Sequence, residues 1–358
     1  MTGRSLRGLA VAAYVFGYPL VSHLTEVCSQ TTDPGVPFAA PVNLFGHATA
    51  LSGLHDFVSI GNTDALCSVA HCDVSNEPLV LHVPDSDNRS FVMQCVDPWT
   101  TSFASIVRPT TGPQDGAFLF APAAWNGLVP DGVTRITTPH TMFTINARYA
   151  VSGPDDLLAV ARLRQQIWVT PLSRYPKLPQ TAWRTFGDRN IAPFTEGVAK
   201  ELRFWEQLRA RMALFPPPEA DRLLVRSFFP LGLLGGPDTY LHADPDLVAI
   251  LTEAAHIGQA NLDALATAER RAMEDTKHKK QDKKHMCGKR HGERSGFDDP
   301  HRALGLLRAH LEDLRNACGV YGVVEPYVLE CGDELLALDE AISSLAAVVK
   351  KTEDVGAL

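Results

Sequence analysis

Three groups of residues in this sequence carry side chains suited to binding or catalysis. The first is Gly61-Asn62-Thr63-Asp64. Asn and Asp bond their own backbone in turns, so a turn entering a strand explains the cluster in structural terms. At the mouth of a β-domain, Asp64 with Asn62 would instead hold a substrate or a hard cation, which prefers oxygen ligands. The second is Asp97-Pro98-Trp99-Thr100-Thr101-Ser102, with Arg108 downstream. An indole offers an apolar face and a carboxylate fixes polarity, a pairing that suits a sugar-like or aromatic ligand. An Asp-Pro turn over a buried Trp is the structural alternative. The third is His71-Cys72-Asp73. Alternate side chains of a strand point to opposite faces, so only His71 and Asp73 share one. Two ligands fall short of the three that a catalytic zinc site supplies. No metal and no cofactor are expected. The candidate ligand-binding set is Asn62, Asp64, Asp97, Trp99 and Arg148.

Signatures of common chemistries are absent. The sequence has no G-x-S-x-G elbow, no glycine-rich loop closing on G-K-S/T and no H-E-x-x-H. Gly232-Leu233-Leu234-Gly235-Gly236 follows no strand that would open a nucleotide-binding unit.

The elements that must position the candidates read as follows. Arg4 and Arg7 precede the apolar run Leu9–Phe16, which Gly17-Tyr18-Pro19 interrupts. This imitates a signal peptide but lacks a clear small-x-small cleavage site. The preferred reading is a first amphipathic helix over residues 1–30, ended by Pro19 or kinked there. Residues 31–56 read as an ordered loop.

From Phe57 to Asn146, short apolar runs alternate with turn residues. Leu79–Val83 and Ser90–Val96 flank a polar loop and read as a β-hairpin. Ala117–Ala121, Val133–Thr137 and Met142–Tyr149 are further strands, and the spacing suggests an antiparallel sandwich or barrel. Ser152-Gly153-Pro154-Asp155-Asp156 then opens a helix whose apolar positions Leu157, Val160, Leu163 and Ile167 step by three and four. Further helices are expected over about 195–214, stopped by Pro216-Pro217-Pro218, and over about 246–274.

The chain has 358 residues, 45% hydrophobic and 21% charged, an ordinary globular composition with length enough for two domains. Its formal net charge of −8 argues against nucleic-acid and anionic-membrane partners for the folded part. Residues 270–294 hold ten Lys or Arg against four Asp or Glu, a net +6 that leaves −14 for the remainder. With almost no apolar residues, this stretch reads as a disordered basic insertion, either an interaction patch or a solvated segment. Beyond it, His301–Ala317 and Gly332–Lys350 read as amphipathic helices. The seven cysteines include no C-x-x-C pair. Cys67, Cys72 and Cys95 lie in strand-like stretches and read as buried free thiols, which fits a reducing compartment.

Several of these stretches together resemble the bacterial domain-of-unknown-function family 1254. They are Ala13–Leu20, Ala40–Asn43, His47-Ala48, Asn62–Leu66, Glu77–Asp85, Val96–Trp99 through Ser105, Thr110–Gly112, Gly153–Asp156 and Leu172-Ser173. In order and spacing the resemblance covers residues 10–175. It implies a β-sandwich-like domain with helical additions and brings no established reaction. Longer relatives carry a second β-rich domain, family 1214, after the helical segment; here the chain turns basic and then helical, and that domain is not expected. Relatives also have an Arg where this chain has Ser59 and a Tyr where it has Cys67.

The expected architecture is therefore α+β: an antiparallel sandwich or jelly-roll-like domain with an N-terminal helix and a helical C-terminal half. The expected divisions are 1–175, a helical extension over 176–269, the basic insertion over 270–299 and C-terminal helices over 300–358. The expected role is a small-molecule pocket, carbohydrate-like or aromatic in its ligand and hydrolytic in its first candidate reaction. The alternative is a non-catalytic structural or interaction protein. A second copy of the chain is a further candidate partner. The expected location is cytoplasmic, with a signal peptide as the alternative.

Overall fold

Strand-forming runs that lie within a few residues of one another separate into two sheets. The computed structural model describes residues 3–48, 65–86, 89–107, 116–176, 191 and 195–286. Two compact units emerge, Ser22–Ile191 and the pair of segments Met1–Val21 with Ala192–Leu358. A first helix, α1 (Gly3–Thr32), contributes to both.

The strands belong to the unit Ser22–Ile191. They are β1 (Phe45–His47), β2 (Ala65–Asp73), β3 (Leu79–Val83), β4 (Phe91–Val96), β5 (Ser102–Val107), β6 (Gly116–Pro122), β7 (Val133–Thr138), β8 (Met142–Ala150) and β9 (Trp168–Pro171). One sheet runs β1-β2-β8-β4-β5, antiparallel throughout. The other runs β7-β6-β3-β9 and contains one parallel pair, β6 with β7. Ala70, Met93 and Ile145 of the first sheet share one apolar cluster with Leu81, Phe120 and Val169 of the second. Interleaved inner faces of this kind define a sandwich. Helix α2 (Leu157–Arg164) adds Val160 and Leu163 to the same cluster.

Two expectations change here. Leu79–Val83 and Ser90–Val96 do not form a hairpin, because β3 and β4 lie in different sheets. The reason is burial: Leu79, Val80 and Leu81 are at most 1% exposed. A strand covered on both faces and both edges sits centrally, here between β6 and β9. The second change is β9, a short edge strand closing at Pro171, where no strand was expected. The free thiols of Cys67, Cys72 and Cys95 are buried as expected, and burial pushes the Cys95 thiol up to about 12.

α1 runs through Pro19 to Thr32 rather than ending there. A proline removes one backbone hydrogen bond, and packing on both sides of it outweighs that loss. Within the helical unit, Tyr14 stacks 4.1 Å from Phe204 between ring centres. Gly17 meets the Leu208 side chain so closely that a Cβ would collide with it. The other helices are α3 (Arg203–Leu214), α4 (Arg222–Ser227) and α5 (Pro245–Met286). The helix expected from Thr195 begins only at a 3-10 turn, Lys200–Leu202. Thr195 instead donates to Glu206 at 2.5 Å, and Glu206 receives two bonds of 2.7 Å from Arg209.

α5 extends twelve residues past its expected end at Glu274. The backbone of the basic stretch is therefore helical through Met286, where disorder was expected. Lys, Arg and Glu are strong helix formers, so a polar composition does not prevent an existing helix from propagating. Residues 287–294 and the two C-terminal amphipathic stretches lie outside the described residues.

Candidate functional site

Asn62 and Asp64 lie outside the described residues. Asp97 and Trp99 lie in the turn that joins β4 to β5, and both are buried, at 4% and 2% exposure. The Asp97 carboxylate accepts the Thr101 backbone N–H at 2.8 Å, and the Thr100 N–H bonds the Asp97 carbonyl. His140 approaches the other carboxylate oxygen at 4.0 Å. This carboxylate organises a turn in which Thr100 takes a positive φ of 63°. With its ring enclosed, Trp99 has no face to offer a sugar. Arg148 lies on β8 opposite Val92 of β4. Asp97 is five residues further along that strand, roughly 16 Å away at the rise of an extended chain. Asp97, Trp99 and Arg148 therefore do not converge.

A different polar set does converge, at one end of the sandwich. Ser68 interrupts the apolar inner face of β2 between Leu66 and Ala70 and is fully buried. His47, its partner on β1, shares a 2.7 Å hydrogen bond with it through Nδ1. Tyr149, opposite Leu66 on β8, is fully buried. Its hydroxyl lies beside Ser68 without reaching hydrogen-bond geometry to any group among the described residues. Arg164, the last residue of α2, is 8% exposed. Its Nη1 donates to the Ala48 carbonyl at 2.8 Å and to the Cys67 carbonyl at 3.4 Å, while its Nε has no partner. Among the described residues it pairs with no carboxylate.

A buried guanidinium without a counter-ion is unusual, because desolvating a charge is costly unless it is paired. Burial holds Arg164 below its ordinary value, countered in part by the Tyr149 and Cys67 side chains. A guanidinium stays charged at neutral pH nonetheless. Desolvation first and the Arg164 charge second push His47 down to about 4, although the residue as a whole is exposed. Burial raises the Tyr149 hydroxyl above its usual range. Among the described residues, this end of the sandwich thus holds one cation, one un-ionised phenol, one neutral imidazole and one hydroxyl.

The opposite face of the same sheet carries a second polar chain, beneath the C-terminal part of α1. Gln30 Nε2 donates to Glu26 Oε1 at 3.0 Å, which leaves Gln30 Oε1 as an acceptor. His71 Nε2–H donates to that oxygen at 2.8 Å. His71 Nδ1 must then accept, and Thr144 O–H donates to it at 2.9 Å. Thr144 Oγ1 in turn accepts from His23 Nε2 at 3.1 Å. Every step fixes the next, so the chain defines one neutral tautomer of His71. Burial pushes that imidazole down to about 4. His71 does not act with Asp73, whose carboxylate accepts the Ser75 N–H in a turn. No three metal-ligating side chains cluster among the described residues.

The sequence carried a signal for the polar end. Arg164 lies seven residues after Leu157 and four after Val160, on the buried stripe of its helix. Ser68 likewise occupies a core position of an apolar strand. A polar residue on a core stripe marks either a satisfied core group or a site, and only the geometry separates the two.

Residues 42–171 match the family described as Protein of unknown function (DUF1254). That domain begins three residues before β1 and ends at Pro171, the last residue of β9. The chain is also similar to the crystal structure of the VPA0106 protein from Vibrio parahaemolyticus, at 20% identity and a TM-score of 0.52. The alignment covers 73% of this chain and 60% of that one, so this chain spans less than two thirds of that protein's length. The likeness is one of fold. No curated protein matches the chain.

Proposed function

We propose that the sandwich is a small-molecule binding module and that its site is the end built by His47, Ser68, Tyr149 and Arg164. One observation carries this reading. Arg164 is nine-tenths buried, has no carboxylate among the described residues and keeps Nε unbonded, and the Tyr149 hydroxyl within its electrostatic reach is also unbonded among the described residues. Two orphaned donors in one place are what a site looks like before its ligand arrives. The four side chains come from β1, β2, β8 and α2, rigid elements of the kind that hold a constellation in place.

Binding is favoured over hydrolysis. The Ser68–His47 hydrogen bond is not extended by a carboxylate on His47 among the described residues, so the pair lacks the orienting group of an activated nucleophile. Trp99 and Asp97 give a carbohydrate no platform. A non-catalytic structural role draws on the bonds from Arg164 to Ala48 and Cys67, which tie α2 to β1 and β2. The packing of Tyr14 and Gly17 in the helical unit supports reading α1 as a core helix of a soluble protein, although its stretch Leu6–Thr32 is long and apolar enough to cross a membrane.

Thermal denaturation of the full chain and of Arg164→Met separates the two roles. The probes are sodium benzoate, sodium octanoate, inorganic phosphate and glucose. The binding reading expects at least one probe to raise Tm saturably in the wild type and not in the variant. The structural reading expects a less stable variant and no probe effect in either protein.

A further inference from the structure

Resting on that binding reading, we infer that the ligand is an organic monocarboxylate with an apolar body. The donor set comes first. Arg164 Nε and the Tyr149 hydroxyl are both donors and both unbonded. A guanidinium and a phenolic O–H within electrostatic reach of each other offer donors to the two oxygens of a carboxylate, which accepts and never donates when ionised. A sugar brings hydroxyls that also need acceptors. The acceptors that face Arg164, the carbonyls of Ala48 and Cys67, are already occupied by it.

Charge then limits the anion to one negative unit. Arg164 is the single cation of the set, because His47 is neutral at pH 7. Arg148 adds nothing, since successive residues of a strand face opposite sides and Tyr149 faces the core. Arg164 is also the last residue of α2, where the helix dipole is negative. Among the described residues, the local charge therefore amounts to less than one full positive unit. A phosphate dianion would be under-compensated there, and a carboxylate would be matched.

The surroundings supply the apolar part. Ala48, Val151 and Leu157 are half-buried residues packed on the main core cluster. Ala48 adjoins His47 in sequence, and Val151 follows β8 two residues after Tyr149. Leu157 lies on α2 with Arg164. A ligand whose carboxylate met Arg164 would set its body against these side chains.

Isothermal titration calorimetry on the full chain tests the class, with sodium benzoate, sodium octanoate, benzamide, inorganic phosphate and glucose as probes. Benzoate or octanoate is expected to bind, and benzamide, which has the same ring without the charge, is expected to bind at least about tenfold more weakly. Arg164→Met is expected to lose benzoate or octanoate binding. Arg164→Lys keeps the charge and loses the fork, and is expected to weaken it roughly tenfold. Tyr149→Phe keeps the buried ring and removes only the hydroxyl, so circular dichroism of this variant controls for folding. Preference for phosphate, equal binding of benzamide and benzoate, or unchanged binding by Arg164→Met overturns the carboxylate assignment. If glucose alone binds and depends on Arg164, the binding reading stands and the ligand class falls. If no probe binds the wild type, the binding reading falls and takes this inference with it.

Discussion

Acidification should unlock the His71 chain before it disturbs most other polar contacts. Protonating Nδ1 would place a proton against the Thr144 O–H that donates to it, inside a residue only 5% exposed. Burial sets the folded value at about 4, against an ordinary 6.5. Because the folded value is the lower one, the contribution of the neutral ring is intact above pH 6.5. It is lost as pH falls from there toward 4. That interval corresponds to about 3 kcal/mol in full, and linkage places about 2 kcal/mol of it between pH 8 and pH 5. His47 adds less, since the residue is exposed and solvent screens the change. The assay is urea denaturation of the wild type and of His71→Gln at pH 8, 6.5 and 5. The wild type should lose about 2 kcal/mol more than the variant across that range. Nitrogen NMR of His71 should show a neutral Nε2–H ring down to about pH 5. Parallel pH profiles for the two proteins, or a His71 ring that titrates near 6.5, would refute the directed chain.

Three further outcomes follow from the geometry. Trp99→Ala should lower stability by about 3–5 kcal/mol, as expected of an enclosed indole. Trp99→Phe should leave benzoate titrations unchanged, and a loss of binding there would return Trp99 to the site. Asp156 accepts two bonds of 2.5 and 2.6 Å from Arg89 and one from the Ser152 N–H, and its carboxyl lies at about 2 rather than 3.8. Its contribution is therefore present above pH 4 and lost as pH falls toward 2. Asp156→Asn should lower the denaturation midpoint at pH 7, and carbon NMR should show no titration of Asp156 near 4. Glu206→Gln leaves Arg209 as an uncompensated buried cation and should cost about 3–5 kcal/mol by urea denaturation. A loss below about 1 kcal/mol would mean that solvent reaches the pair.

Much of the fold was legible because strand periodicity and turn residues are local. Leu79–Val83 and Met142–Tyr149 could be read from their β-branched and apolar content, and the DUF1254 match spans the same sheets. Which strands pair was not legible. The contacts that set β8 between β2 and β4 join residues 48 to 85 positions apart, and no local pattern reports them. The same limit explains the site. Asp97 and Trp99 are neighbours in sequence, yet both are buried in a turn whose backbone the Asp97 carboxylate holds. Arg164 and Tyr149 are fifteen residues apart on a helix and a strand, and only packing brings their orphaned donors together. The length of α5 was misjudged for a different reason. Composition reports the lack of a core, and a helix can propagate without one.

The most direct test of the binding site is the Arg164 Nε–H resonance, followed by proton–nitrogen NMR while sodium benzoate or sodium octanoate is added to the full chain. With one of these probes the resonance should shift saturably and exchange more slowly with water as Nε gains an acceptor, and Tyr149→Phe should weaken the response. A resonance that stays fixed for every probe while the protein remains folded would contradict the account and leave Arg164 as a tie between α2 and the strands.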